Sequence, residues 1–151
     1  MTELDQLMGV MEEAFDPHWR EAWTRQQVED SLRLPSTYYL LADEHGDEPV
    51  FGKPASGFVL ARRVLDEEEL LLLAVKPQAR GKGLGRKLLL RFLDNAEDKG
   101  VARVFLEMRC DNPAETLYRN CGFVQIGRRP NYYRTRTGSS VDALTFSKKL
   151  S

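Results

Sequence analysis

The segment Arg80-Gly81-Lys82-Gly83-Leu84-Gly85-Arg86 sets three alternating glycines among three cations. Without side chains, successive backbone N–H groups can turn toward one point, and the N-terminus of a following helix adds the positive end of its dipole. Such a loop captures a phosphate or pyrophosphate; a plain strand-to-helix turn needs fewer glycines. Spacing separates the nucleotide motifs that compete for it. A Walker loop requires Ser or Thr after Gly-Lys, and here Gly83 follows Lys82. A dinucleotide fingerprint requires its third glycine where Arg86 stands, and it normally opens a long doubly wound sheet, whereas this segment lies past the middle of a short chain.

Glu107 is the second candidate. It is a carboxylate among Val104, Phe105, Leu106 and Met108, near the end of a strand beside the one that leads into the glycine loop. A carboxylate so placed has two readings: an ion pair with Arg103 or Arg109, or a general base that removes a proton directly or through a water. Tyr118 sits on the short helix that follows, within reach of the same crevice, and by itself reads equally well as a packed aromatic with a hydrogen-bonded tip. Arg128, Arg129, Arg134 and Arg136 interleave with Tyr132 and Tyr133 in what reads as a basic loop, a solvated face rather than an RNA contact. His18 and His45 are far apart and the cysteines lack paired spacing, so no metal site is expected. No Gly-x-Ser-x-Gly elbow supplies a serine nucleophile.

Patterning predicts the elements that must position these residues. Leu4, Leu7, Met8, Met11 and Phe15 mark an amphipathic helix ending near Pro17, and Thr24-Arg25-Gln26-Gln27 has the form of a capping box opening a second. Thr37 to Ala42 and Gly57 to Val64 read as an antiparallel strand pair. Leu70 to Val75, stopped by Pro77, reads as a strand buried on both faces, preceded by an acidic loop, Asp66-Glu67-Glu68-Glu69. Leu84, Leu88, Leu89, Phe92, Leu93 and Ala96 form one helical stripe with Gly100 at the C-cap. Val101 to Met108 then forms a strand parallel to its predecessor across a right-handed crossover. Asn112-Pro113-Ala114-Glu115 reads as a helix cap, and Gly122 to Arg128 and Val141 to Lys148 as closing strands.

At 151 residues the chain is one domain, 1–151, with 42% hydrophobic and 30% charged residues, globular values. A net charge of -1 gives no global field toward nucleic acid or an anionic membrane. The apolar run Leu70 to Val75 is far short of a membrane span, and the start Met1-Thr2-Glu3-Leu4-Asp5 has no signal-peptide pattern, so the expected address is the cytoplasm. Cys110 and Cys121 are expected as free thiols.

Arg80, Gly83 and Gly85 satisfy Arg/Gln-x-x-Gly-x-Gly/Ala, and on this pattern the chain resembles the GCN5-related N-acetyltransferases. Leu73-Ala74-Val75-Lys76-Pro77 is similar to that family's cofactor-contacting strand, and Leu117-Tyr118-Arg119-Asn120-Cys121-Gly122-Phe123 to its Leu-Tyr-x-x-x-Gly-Phe signature. Within the family, Phe105 to Arg109, Asn112, Tyr118, Arg128 to Tyr133, Gly138 and Asp142-Ala143 are most similar to the bacterial ribosomal-protein-alanine N-acetyltransferases. The resemblance implies an α/β (α+β) fold: a mixed, mostly antiparallel sheet with a central parallel strand pair, flanked by helices. It implies acetyl-CoA as co-substrate, its pantetheine along Leu73, Ala74 and Val75 and its pyrophosphate on Arg80, Gly81, Lys82, Gly83, Leu84, Gly85 and Arg86, with Asn112 also a cofactor ligand. Glu107 is then the base, Tyr118 the acid that protonates the departing thiolate, and Tyr132 and Tyr133 line the acceptor site. Asn112 precedes Tyr118 by six residues, where the family usually has seven. The implied acceptor is the N-terminal α-amine of a ribosomal protein starting with alanine, attacked in a ternary complex by a monomer or weak homodimer. A small-molecule amine (a polyamine or an antibiotic), or a non-catalytic CoA-binding module, are the alternatives.

Overall fold

The computed structural model describes residues 2–150. Two capping boxes open the first two helices; the sequence predicts the second, at Thr24 to Gln27, and the structure adds the first. For α1 (Glu3–Ala14), the Thr2 hydroxyl accepts from Asp5 N–H at 3.1 Å and the Asp5 carboxylate accepts from Thr2 N–H at 2.9 Å. Thr24 and Gln27 do the same for α2 (Arg25–Leu32). Between them Pro17–Trp19 forms a 3-10 turn that hydrophobic periodicity does not reveal. Among the described residues no helix is long and apolar enough to cross a membrane.

Strands β1 (Thr37–Ala42), β2 (Gly57–Val64) and β3 (Glu67–Val75) form an antiparallel meander. Helix α3 (Leu84–Asp98) crosses over to β4 (Arg103–Arg109), which lies parallel to β3. After α4 (Glu115–Asn120), β5 (Val124–Arg134) and β6 (Ser140–Lys149) close a six-stranded sheet in the order β1-β2-β3-β4-β6-β5. All other neighbours are antiparallel. The buried face of α3 is the predicted stripe, and Gly100 follows its end at φ +79°. Cys110 and Cys121 are free.

The sheet separates two apolar layers. Phe92, Leu88, Leu89, Leu106, Phe123 and Phe146 pack on the α3 and α4 side; Leu7, Val10, Met11, Val28, Phe58 and Leu60 pack on the α1 and α2 side. The parallel pairing of β3 with β4 runs from Glu67↔Arg103 to Leu70↔Leu106 and stops. Residues 71–75 of β3 have no partner on β4, whose residues 107–109 pair only with β6. The two strands therefore part into a wedge that points toward the glycine loop.

Four expectations are corrected. The acidic run is strand rather than loop: Glu67–Glu69 belong to β3, paired with β2 on one side and β4 on the other. Glu68 is fully buried and accepts from the Tyr38 hydroxyl, while Arg62 and Arg103 meet Glu69 and Glu67, so the strand tolerates three carboxylates because partners answer each of them. Second, Leu70 to Val75 packs on both faces, but Leu71 to Leu73 and Val75 stay only half-buried. Ala61 pairs with Leu70 and Leu60 with Leu72, so Leu71 is an extra residue, a bulge that shifts the alternation. Third, Asn112 does not cap α4 directly: the N-cap position falls at Ala114, and Asn112 Oδ1 accepts from Ala114 N–H at 2.9 Å in a turn just ahead. Fourth, Arg128 to Arg134 is strand, not loop. A register shift between Arg129 and Tyr133 absorbs Pro130, which has no N–H to donate, and Asn131 at φ +54°.

Candidate active site

The glycine loop sits at the mouth of the wedge. Gly81 and Gly83 adopt φ of +79° and +80°, a left-handed conformation that side chains resist, with open space where a Cβ would project. Gly83 occupies the N-cap position of α3 and offers no side-chain cap. The first helical hydrogen bond runs from Lys87 N–H to Gly83 C=O, so the amides of Leu84, Gly85 and Arg86 precede the ladder at the positive end of a 15-residue helix. These donors fit a diphosphate. Gly85 has an ordinary backbone, and a Cβ there would lie at ordinary contact distance, 3.6 Å from Leu117 Cδ2 and 3.9 Å from Val75 Cγ2, so the packing leaves room for one. Arg80 is committed elsewhere. Its Nε donates to Val75 C=O at 3.1 Å and its Nη2 to Ala14 C=O, which makes the side chain a strut between the ends of β3 and α1.

A cavity of about 720 Å³ fills the wedge, within the range of small-molecule sites. Leu73, Ala74, Val75, Arg80, Gly81, Gly83, Leu84, Gly85, Arg86, Asn112 and Tyr118 line it, and so gather one group of predicted residues. Lys82, Glu107, Tyr132 and Tyr133 lie outside that lining. Tyr118 is buried on α4, edge-on to Phe123 with ring centroids 5.7 Å apart. Burial, and then the charge of Glu21, push its hydroxyl pKa above the ordinary 10.0. A tyrosine so placed keeps its proton.

Glu107 projects to the other face of β4 from Leu106 and Met108, because strand residues alternate. Neither sequence-proposed partner holds it: Arg103 meets Glu67 and Arg109 meets Glu21. Its contacts are Arg129 Nε at 3.6 Å and the Thr145 hydroxyl, which donates to Oε2 at 3.5 Å. Tyr133 stands nearby. Desolvation first, then the charges of Glu107 and Glu21, push its pKa up to about 12. Tyr132 is half exposed, edge-on to Tyr133 at 5.2 Å, with the Arg129 guanidinium 5.0 Å from its ring.

Sequence reasoning missed the wall that the segment between α1 and α2 supplies. Phe15, Asp16, Trp19 and Glu21 line the cavity, as does Arg109 of β4. These residues belong to no motif; the available signal was a short connection between two capped helices that carries Trp19, Glu21 and Trp23 after a proline.

This geometry defines a class: a cleft of small-molecule size between parted parallel strands, lined by the glycine-rich start of a helix and by Tyr118, Glu21 and Arg109. Residues 4–123 match the model of the acetyltransferase (GNAT) family, and the chain belongs to that family. It is an acetyltransferase. It is 41% identical to the [ribosomal protein bS18]-alanine N-acetyltransferase of Escherichia coli (strain K12) over 101 residues, 66% of this chain and 67% of that one. A protein of Bacillus subtilis (strain 168) named putative [ribosomal protein bS18]-alanine N-acetyltransferase is 31% identical over 124 residues, 81% of this chain and 76% of its own. The crystal structure of the ribosomal-protein-S18-alanine N-acetyltransferase from Escherichia coli superimposes with a TM-score of 0.84 at 29% identity, covering all of this chain and 90% of that one.

Proposed function

We propose that this chain transfers acetyl from acetyl-CoA to the N-terminal α-amine of a protein, a ribosomal protein with an alanine N-terminus, by direct attack within a ternary complex. The observation that carries the reading is the parting of β3 from β4 beyond Leu70↔Leu106, which leaves the β4-facing edge of residues 71–75, still paired with β2 on the other side, free to bind an extended pantetheine chain. The uncapped start of α3 receives the diphosphate, with Asn112 beside it. Likeness to the Escherichia coli enzyme supports the choice of acceptor.

In this reading Glu107 takes a proton from the amine, directly or through a water. The nitrogen attacks the acetyl carbonyl carbon, the C–S bond breaks, and Tyr118 gives its proton to the departing sulfur. Its raised pKa keeps the hydroxyl protonated, so a proton is in place when charge builds on sulfur. The half-buried Tyr133 and exposed Tyr132 border the acceptor groove. Acceptor chemistry points the same way. An α-amine, with a reference pKa near 7.8, is about one-third neutral at pH 7.5, against roughly one lysine in a thousand. A single carboxylate suffices for the first task.

Purified protein with acetyl-CoA should acetylate peptides with an N-terminal alanine in a library that also includes lysine side chains, polyamines and aminoglycosides. Mass spectrometry of the products reads the outcome. Transfer confined to small amines would replace the acceptor assignment, and binding of acetyl-CoA without any transfer would make the chain a non-catalytic module.

A further inference from the structure

The segment between α1 and α2 brings a carboxylate to the cavity that Glu107, Tyr118 and the glycine loop leave without a task. Glu21 lines the cavity together with Tyr118. Arg109 Nε holds its Oε1 at 3.3 Å, and the buried Arg109 guanidinium is itself fixed 3.9 Å from the Trp19 ring centroid. A carboxylate offers about four acceptor sites. Among the described residues no second donor reaches Glu21. Glu107 and Arg109 are two apart on β4 and so share a face, which means that Arg109 holds Glu21 on the face that carries Glu107. Glu21 and Tyr118 line one cavity, and the charge of Glu21 acts on both Tyr118 and Tyr133, as that of Glu107 does on Tyr133.

An α-amine reaches the site mostly as an ammonium, with three N–H donors to satisfy. Glu107 already answers Arg129 and Thr145. We propose that Glu21 is the residue that binds the acceptor ammonium and orients it, so that Glu107 removes the proton; this rests on the acetyltransferase reading above. The site thereby selects a cationic amine before chemistry begins, and Arg109 with Trp19 keeps the carboxylate in place.

The test is steady-state kinetics with whichever amine the wild-type protein acetylates best in the library. Glu21→Gln keeps the size of the side chain and can still accept from Arg109, but removes the charge. The acceptor KM should rise about tenfold to a hundredfold, the scale of a lost charge-assisted hydrogen bond. The value of kcat should stay within about threefold and acetyl-CoA affinity by calorimetry should not change. Glu21→Asp should recover part of the loss. An acceptor KM that does not move overturns the proposal, as does a fall in kcat at constant KM, which would make Glu21 the base. A desamino peptide, which lacks the ammonium, should inhibit wild type and Glu21→Gln equally; weaker inhibition of the variant also overturns it. If the wild type acetylates no amine at all, the failure belongs to the functional reading and not to Glu21.

Discussion

Tyr118 carries the sharpest consequences at the scale of single residues. Its pKa is raised by burial and by the charge of Glu21, so its neutral form is the one the fold favours. If it is the acid, rising pH should not remove its proton in the range where an ordinary tyrosine with a pKa of 10.0 begins to ionise. The kcat profile should accordingly show no descending limb up to about pH 10, the reference value for tyrosine. Tyr118→Phe should lower kcat by roughly 10²- to 10⁴-fold, the range of general acid–base catalysis, with little change in acetyl-CoA affinity by calorimetry. Equal losses in both would make Tyr118 a cofactor contact. The sequence displayed Glu107 and Tyr118 as chemical types, but concealed that Arg129, not Arg103 or Arg109, approaches Glu107. That contact needs β5 and β4 to flank β6, a matter of strand order rather than of spacing.

Among the elements, the start of α3 separates two roles that glycine plays. Gly83 needs its left-handed backbone, whereas Gly85 sits in regular helix with a clear Cβ position. Gly83→Ala should cost about 1 to 2 kcal/mol of stability. Gly85→Ala should be neutral or stabilising by up to about 1 kcal/mol, as alanine is in a helix. Both positions line the cavity, so both variants should weaken acetyl-CoA binding. Urea titration and calorimetry together check the split, and equal destabilisation by the two substitutions would contradict it. Elements with strong periodicity were legible in the sequence: the apolar stripes of α1 and α3 and the capping box of α2 depend on neighbours three or four residues away. Elements whose form depends on distant partners were not. Glu67–Glu69 extend β3 because Arg62, Arg103 and Tyr38 meet the three carboxylates. Arg128 to Arg134 runs as strand because β6 pairs with it, and a bulge disposes of Pro130.

For the molecule as a whole, one sheet serves two apolar layers, and the wedge between β3 and β4 lies where both must hold. Phe92 fills the α3 side and Phe58 the α1 side, each fully buried. Phe92→Ala and Phe58→Ala should each cost about 3 to 5 kcal/mol. Because the layers share the sheet, fluorescence of Trp19 and Trp23 and far-ultraviolet circular dichroism should follow one coincident unfolding transition in either variant. Separate transitions would show that the layers fold independently. The amino-acid sequence by itself determined the glycine loop, the helix stripes and the first two strands, since each is written in short-range spacing, and its motifs carried the resemblance to the acetyltransferase family. Only the tertiary structure decided that the wedge opens after Leu70, that Arg80 is a strut, and that Glu21 lines the cavity beside Tyr118. The reason is physical: these arrangements arise from contacts between segments remote in the chain, where periodicity carries no information and packing selects the partner.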